Sequence, residues 1–275
     1  MRYSDAVEAA PRGSERFQAE DLARLSRTAL NLLFEPGPSA PPLEEAAAAL
    51  ASQPAALWAV AAALPPARGE RLLRLSQRPL SSGQRAAAAR RLVRGAFWFL
   101  AYELAWELWD RLAAAEPVAP GLLVDLPADG ALVVDVGAGS GRLTAALAPR
   151  AAMLVAVEPS PPLRRLLQDR FPCVKVVAGV GHRLPLRSGW ADLVVSCATF
   201  GPHPPLGGDR VLAELERCVR PGGTLGMVGP EEAAWWEERG FRRVDYPLPA
   251  AHFDADLEAF FGPPHPPHRL LLKEK

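Results

Sequence analysis

Two regimes of apolar spacing divide the chain. Up to about residue 115, apolar positions recur every three or four residues, the spacing of helices with one buried face. Helices are predicted over 22–34, stopped by Pro36-Gly37-Pro38, and over 43–51 and 54–64, separated by Ser52-Gln53-Pro54. Pro54 suits a first helical position. A longer helix is predicted from a cap at Ser81 or Ser82 to about residue 115. Beyond residue 130 the pattern changes to short apolar runs separated by turns and amphipathic stretches. Runs at 133–136, 154–157, 174–177, 192–196 and 224–228 read as buried strands, with helices beginning near Arg142 and spanning about 210–219. Strands alternating with helices imply a parallel, doubly wound sheet. Two more strands are predicted at 240–246 and 268–273. The expectation is an α/β fold in which 1–115 form an all-helical region and 116–275 the sheet domain.

On the last N-terminal helix, Phe99, Tyr102, Trp106 and Trp109 recur at spacings of three, four and three, making one aromatic stripe. Glu103, Glu107 and Asp110 fall together on another side. The plain reading packs the stripe as core; the sharper one has Tyr102 or a tryptophan lining a ligand pocket.

Composition removes several function classes. The 275 residues are 49% hydrophobic and 23% charged, with a formal net charge of zero. No overall field draws such a chain to nucleic acid or anionic membrane. The most apolar stretch, 96–109, contains Glu103 and Glu107 and is too short to span a bilayer. Residues 1–13 are polar and lack the apolar core of a secretory signal. Cys173, Cys197 and Cys218 are odd in number and have no metal-ligand spacing, so a reducing, cytoplasmic setting is expected. His265 and His268 lie three apart in a Pro-rich run with no third ligand in view, and no metal is expected. Basic residues are nearly all arginine and Ala, Leu and Pro abound, the composition of a GC-rich bacterial genome.

The candidate chemistry lies at Val133-Val134-Asp135-Val136-Gly137-Ala138-Gly139-Ser140-Gly141, a strand running into a glycine-rich turn and then a helix. Each glycine permits a tight turn or a close ligand approach that a Cβ would prevent, and the helix start favours a negative group. Asp135 would be unwelcome beside a diphosphate. A dinucleotide fingerprint, G-x-G-x-x-G/A, would place its third small residue at position 142, which is Arg142. The third glycine comes one place earlier, giving D-x-G-x-G-x-G. An acid, Glu158, closes the second strand about twenty residues on, placed to accept from ribose hydroxyls.

The D-x-G-x-G-x-G turn resembles motif I of class I S-adenosylmethionine-dependent methyltransferases. Over 130–230 the later pieces are similar to that family too: Glu158-Pro159-Ser160, Leu184-Pro185-Leu186, Asp192-Leu193-Val194-Val195-Ser196 and Arg220-Pro221-Gly222-Gly223. The resemblance implies a Rossmann-like sheet, mostly parallel with its last strand antiparallel, and S-adenosyl-L-methionine as cofactor. It implies that Gly137, Ala138 and Gly139 pass beneath the methionine part, within a turn completed by Gly141, while Asp135 helps hold its amino group. Glu158 would bind the ribose and Pro159 lie against the adenine. Val180, Gly181 and His182 would line the adenine side, and Ser196 and Cys197 would face the cofactor. Many relatives carry Asp where this chain has Val180, so one cofactor hydrogen bond, about 1 kcal/mol, is missing or replaced.

The expected reaction is methyl transfer to O, N or C of a small molecule. The loop Thr199-Phe200-Gly201-Pro202-His203 would border that substrate together with Tyr102, with His203 a candidate general base and Phe200 a candidate contact. Two rivals are carried. Eight arginines between Arg68 and Arg94 against a single acid, Glu70, are a candidate dock for RNA or an acidic protein, which would make the acceptor RNA or protein. Val180 and the lack of an obvious base instead suit a binding module without turnover. The helical region is read as substrate cap, partner contact or dimer contact.

Overall fold

The computed structural model describes residues 12–35, 41–202, 207–230 and 232–275. The chain forms two compact units, Met1–Leu108 with Asp254–Pro263 and Trp109–Phe253 with Pro264–Lys275. In chain order the helices are α1 Arg27–Leu33, α2 Leu43–Leu50, α3 Pro54–Ala63, α4 Pro66–Ser76, α5 Ser82–Leu104, α6 Trp106–Ala115 and α7 Pro120–Asp125. Then follow β1 Leu132–Val136, α8 Arg142–Leu147, β2 Met153–Val157, α9 Pro161–Arg170, β3 Lys175–Val177, β4 Ala191–Cys197 and α10 Gly208–Cys218. The remainder is β5 Val219–Val228, α11 Ala233–Glu237, β6 Arg242–Asp245, α12 Ala255–Phe261 and β7 Arg269–Glu274.

In the helical unit, Leu22, Leu30, Leu50, Val60, Leu72, Leu92 and Leu100 are fully withdrawn from water. The helix expected over 22–34 is broken: a 3-10 turn, Ala19–Arg24, precedes α1. Ser26 makes the break by capping α1, its Oγ accepting from the Ala29 amide at 3.2 Å. Its own amide and hydroxyl donate to Glu103 at 2.5 and 2.6 Å. The Pro36-Gly37-Pro38 stop lies outside the described residues. Ser81 caps α5 in a reciprocal box with Gln84.

The long helix does not run to residue 115. Ala105 leaves helical geometry (φ −129°, ψ 37°), and α6 starts afresh at Trp106. The aromatic stripe is therefore not one face. Phe99 packs on the helical core, Tyr102 stacks on Trp98 with centroids 6.0 Å apart, and Trp109 belongs to the other unit. The division between units thus falls within α6 rather than after residue 115. Residues 254–263 also leave the sheet unit, because Phe260 packs against Phe17 and Phe97 at 6.1 and 5.4 Å.

The sheet unit holds seven strands in the order β3-β2-β1-β4-β5-β7-β6. The first five are mutually parallel, and β7 runs antiparallel to both β5 and β6. Both faces are covered, so the strands read as continuous apolar runs. Val134, Val136, Val155 and Val194 meet Leu215, Trp236 and Phe241 on one side; Val133, Ala156, Leu193 and Val195 meet Leu122, Leu143 and Leu147 on the other. Strand order reverses between β1 and β4, which opens a crevice at their carboxyl ends.

Phe260→Ala is expected to cost about 3–5 kcal/mol, read as a lower urea midpoint for the helical unit. Trp58, 62% exposed, should move that midpoint by under about 0.5 kcal/mol when changed to Ala.

Candidate active site

The carboxyl end of β1 runs directly into the glycine turn. Gly137, Gly139 and Gly141 have φ of +72°, +58° and +101°, a region that side chains disfavour. A Cβ on Gly137 would lie 2.7 Å from the Thr199 methyl, and one on Gly139 would lie 3.1 Å from Trp109 Nε1. Turn and surroundings are thus fitted to bare backbone.

Most of the turn's amides are committed to β2 and the residue that follows it. The Gly137 and Ala138 amides donate to the Val157 carbonyl at 2.9 and 3.2 Å, and the Gly139 amide donates to Glu158 Oε2 at 2.9 Å. Gly141 donates to the Ala138 carbonyl and caps α8. Arg170 braces the turn from outside: it donates to the Ser140 carbonyl at 3.0 Å while held bidentate by Asp110 at 2.8 and 2.7 Å.

Two carboxylates are buried here. Asp135, 1% exposed, accepts from the Thr144 hydroxyl at 2.7 Å, and burial raises its pKa to about 6. Glu158, 5% exposed, accepts from the amides of Gly139 and Ser160, and burial raises its pKa to about 7. Arg164, whose charge Glu158 feels, spends its guanidinium on the carbonyls of Glu158 and Pro159. Glu158 thereby keeps free lone pairs for further donors.

The structure brings together Asp135, Gly137, Ala138, Gly139, Gly141, Glu158 and Pro159 around this turn. Ser196 closes the gap between strands, its buried hydroxyl donating to the Val136 carbonyl at 2.7 Å. Cys197 follows at the end of β4. Burial pushes its thiol pKa up to about 11, although the Arg142 charge pulls the other way, so the thiol stays protonated near neutrality. Ala198 is held at φ +50°, strained for a non-glycine residue, where the chain leaves β4. On the third-strand side, the Val180 carbonyl accepts from the Arg183 amide, and a Cβ on Gly181 would meet the Phe200 ring at 2.5 Å. The loops after β3 and β4 are thus in contact. His182, half-buried, sits near Glu214. Tyr102 belongs to the helical unit, and His203 lies outside the described residues. Among the described residues no group of three or more His, Cys, Asp or Glu side chains could hold a metal. No helix among them is long and apolar enough to cross a membrane.

The sequence points to the glycines and acids, to Thr199 in the loop bordering the substrate and to a tryptophan of the aromatic stripe, but gives no site role to Arg170, Glu116 or Arg142. Nothing in the pattern distinguishes Arg170 or Glu116 from solvated charges.

Residues 134–227 match the family described as Methyltransferase domain. Methyltransferases of Mycobacterium bovis and Mycobacterium tuberculosis are 34% identical over 118 residues, which is 42% of this chain and 47% of theirs. The chain thus spans about half the length of these relatives. An rRNA adenine N-6-methyltransferase of Streptomyces fradiae is 48% identical over 69 residues, 25% of this chain and 21% of that protein. Among solved structures, a chain of the complex between the Haloferax volcanii Trm112 methyltransferase activator and its methyltransferase aligns with TM-score 0.46. Its identity is 21%, and the match covers 61% of this chain and 92% of that one.

The two raised pKa values set a pH dependence of stability. A carboxyl whose folded pKa exceeds its unfolded value stabilises fully below the unfolded value and loses that contribution as pH rises through the folded one. Asp135 and Glu158 should therefore lower stability progressively from about pH 4 to about pH 7. Denaturant midpoints across that range should fall less steeply in Asp135→Asn and Glu158→Gln than in the parent; equal slopes would contradict the burial effect.

Proposed function

We propose that the protein is a class I methyltransferase that takes S-adenosyl-L-methionine and transfers its methyl group to O, N or C of a small-molecule acceptor in the cytoplasm, a reading supported by the match of residues 134–227 to the methyltransferase-domain family and by the methyltransferases it resembles. The observation that supports this best is the union of a Cβ-free turn with a buried acid. Gly137 and Gly139 leave a cradle that side chains would fill, and Glu158 beside it retains acceptor capacity for a ribose diol.

We assign Gly137, Ala138, Gly139 and Gly141 to the backbone cradle under the methionine portion, with Asp135 supporting its amino group. Glu158 holds the ribose; Pro159, Val180, Gly181 and His182 surround the adenine; Ser196 and Cys197 form the wall at β4. When bound, the donor supplies an electrophilic methyl group on a sulfonium whose thioether leaves readily. The chain's task is then to orient the acceptor about 3 Å from that methyl and to exclude water. Phe200, already seated on Gly181, is suited to close the acceptor side, with His203 a further acceptor contact. The protonated Cys197 thiol is no nucleophile, so the acceptor itself must attack.

A second reading, an RNA acceptor, draws on the exposed Arg90 and Arg94, two turns and one turn before the exposed Trp98 on α5, and on the Streptomyces fradiae relative. Other members of the cluster are already engaged: Arg71 with Glu44, Arg91 with Glu45, Arg74 with Glu70.

Calorimetry with S-adenosylhomocysteine should show binding that strengthens as pH rises through about 7, when Glu158 ionises. Gly139→Val should weaken it at least tenfold, about 1.4 kcal/mol. No heat from the parent protein at high micromolar ligand would end the donor-site assignment. Labelled-methyl transfer to small molecules should survive Arg90→Glu with Arg94→Glu; loss of transfer to RNA on that double reversal would favour the second reading.

A further inference from the structure

One buried charge near the turn has no part in the function proposed above. Glu116, 7% exposed, follows α6, and its carboxylate makes two contacts. Oε1 accepts from the backbone amide of His265 at 2.7 Å, and Oε2 faces the Arg142 guanidinium at 3.3 Å. Arg142 is the first residue of α8, immediately after Gly141, and its charge acts on the Cys197 thiol at the end of β4.

The Pro-rich loop at 264–268 is laid against the same place. The Ala119 amide donates to the Pro267 carbonyl at 2.9 Å, and a Cβ on Gly229, at the end of β5, would lie 2.9 Å from Pro267. Backbone contacts therefore fix this loop on the segment after α6 and on the sheet, and Glu116 extends that link to the head of α8.

Stability alone gives a poor account of the pair. Arg142 and Glu116 side chains are only 14% and 9% exposed and share one contact at 3.3 Å. Withdrawing both charges from water for a single long contact costs more than apolar packing would. What the pair does supply is direction: it sets where the first turn of α8 lies relative to the loop and to β4.

We propose that Glu116 is a positioning residue that acts through Arg142 to hold the head of α8, and with it the glycine turn, in the geometry that receives the methyl donor. The inference rests on the donor-site reading above. Glu116 touches no reacting atom; its effect reaches the donor through the guanidinium and the helix backbone.

Glu116→Gln separates the two contacts, because its amide oxygen can still accept from His265 while its charge toward Arg142 is gone. Glu116→Leu removes both, and Arg142→Lys alters the pair from the other side should the leucine variant fail to fold. S-adenosylhomocysteine affinity, the thermal midpoint and amide hydrogen exchange would be measured for each. Glu116→Gln and Arg142→Lys are expected to weaken the ligand about tenfold and to speed exchange over 139–143, leaving His265 exchange unchanged. Glu116→Leu strands Arg142 and the His265 amide, so it should lower the thermal midpoint along with affinity and speed His265 exchange. Glu116→Gln combined with Arg142→Met removes both charges and keeps the His265 acceptor; it should weaken the ligand as much without lowering the midpoint. If affinity and midpoint fall together in that double variant, the role is purely structural and the proposal is overturned. Ligand affinity within twofold of the parent in Glu116→Gln and Glu116→Leu would overturn it too. If the parent itself binds no S-adenosylhomocysteine, the donor site is what fails; exchange over 139–143 then still decides Glu116, and unchanged exchange refutes it.

Discussion

The structure depends on how a turn of bare backbone is held at the end of a strand. Three successive amides, those of Gly137, Ala138 and Gly139, would be costly to strand away from water. The first two find the Val157 carbonyl and the third finds the Glu158 carboxylate, so the end of β2 dictates the shape of the turn after β1. Because this stitching uses neighbouring parallel strands in register, the turn is as rigid as the sheet itself. A binding surface built this way is preorganised, and little ordering remains to be done when a ligand arrives.

The same arrangement explains the electrostatics. Asp135 and Glu158 sit within apolar layers that raise both their pKa values, yet each has hydrogen-bond donors that keep it from being an orphan. Carboxyls poised near neutrality suit a cationic partner better than a phosphate. Among the arginines of 68–94, by contrast, Arg71 and Arg91 are offset by Glu44 and Glu45, acids of another helix that a linear count overlooks, and Arg74 by Glu70.

Much of the sheet unit was legible because its signals are local. Val133 to Val136 or Leu154 to Val157 read as buried strands from a few residues, and a glycine at positive φ announces its turn. The departures came where distant parts of the chain decide local geometry. Ser26 breaks a helix because Glu103, 77 positions away, takes its amide and hydroxyl. Ala105 ends α5 with neither glycine nor proline to mark it. Residues 254–263 join the helical unit because Phe260 finds Phe17 and Phe97. At the site, Arg170, Glu116 and Arg142 acquire meaning only from what they touch, so periodicity could not single them out.

The place of β7 has a consequence for biosynthesis. This strand is the last of the seven along the chain, yet it lies between β5 and β6 and supplies the hydrogen-bonding partner of both. Until it emerges from the ribosome, β5 presents an unpaired edge and β6 has no neighbour to join. The nascent sheet is then half-zipped, with the outer backbone N–H and C=O groups of β5 on an open border. Aggregation or chaperone capture would be concentrated in that interval, before residues 269–274 slide into the gap.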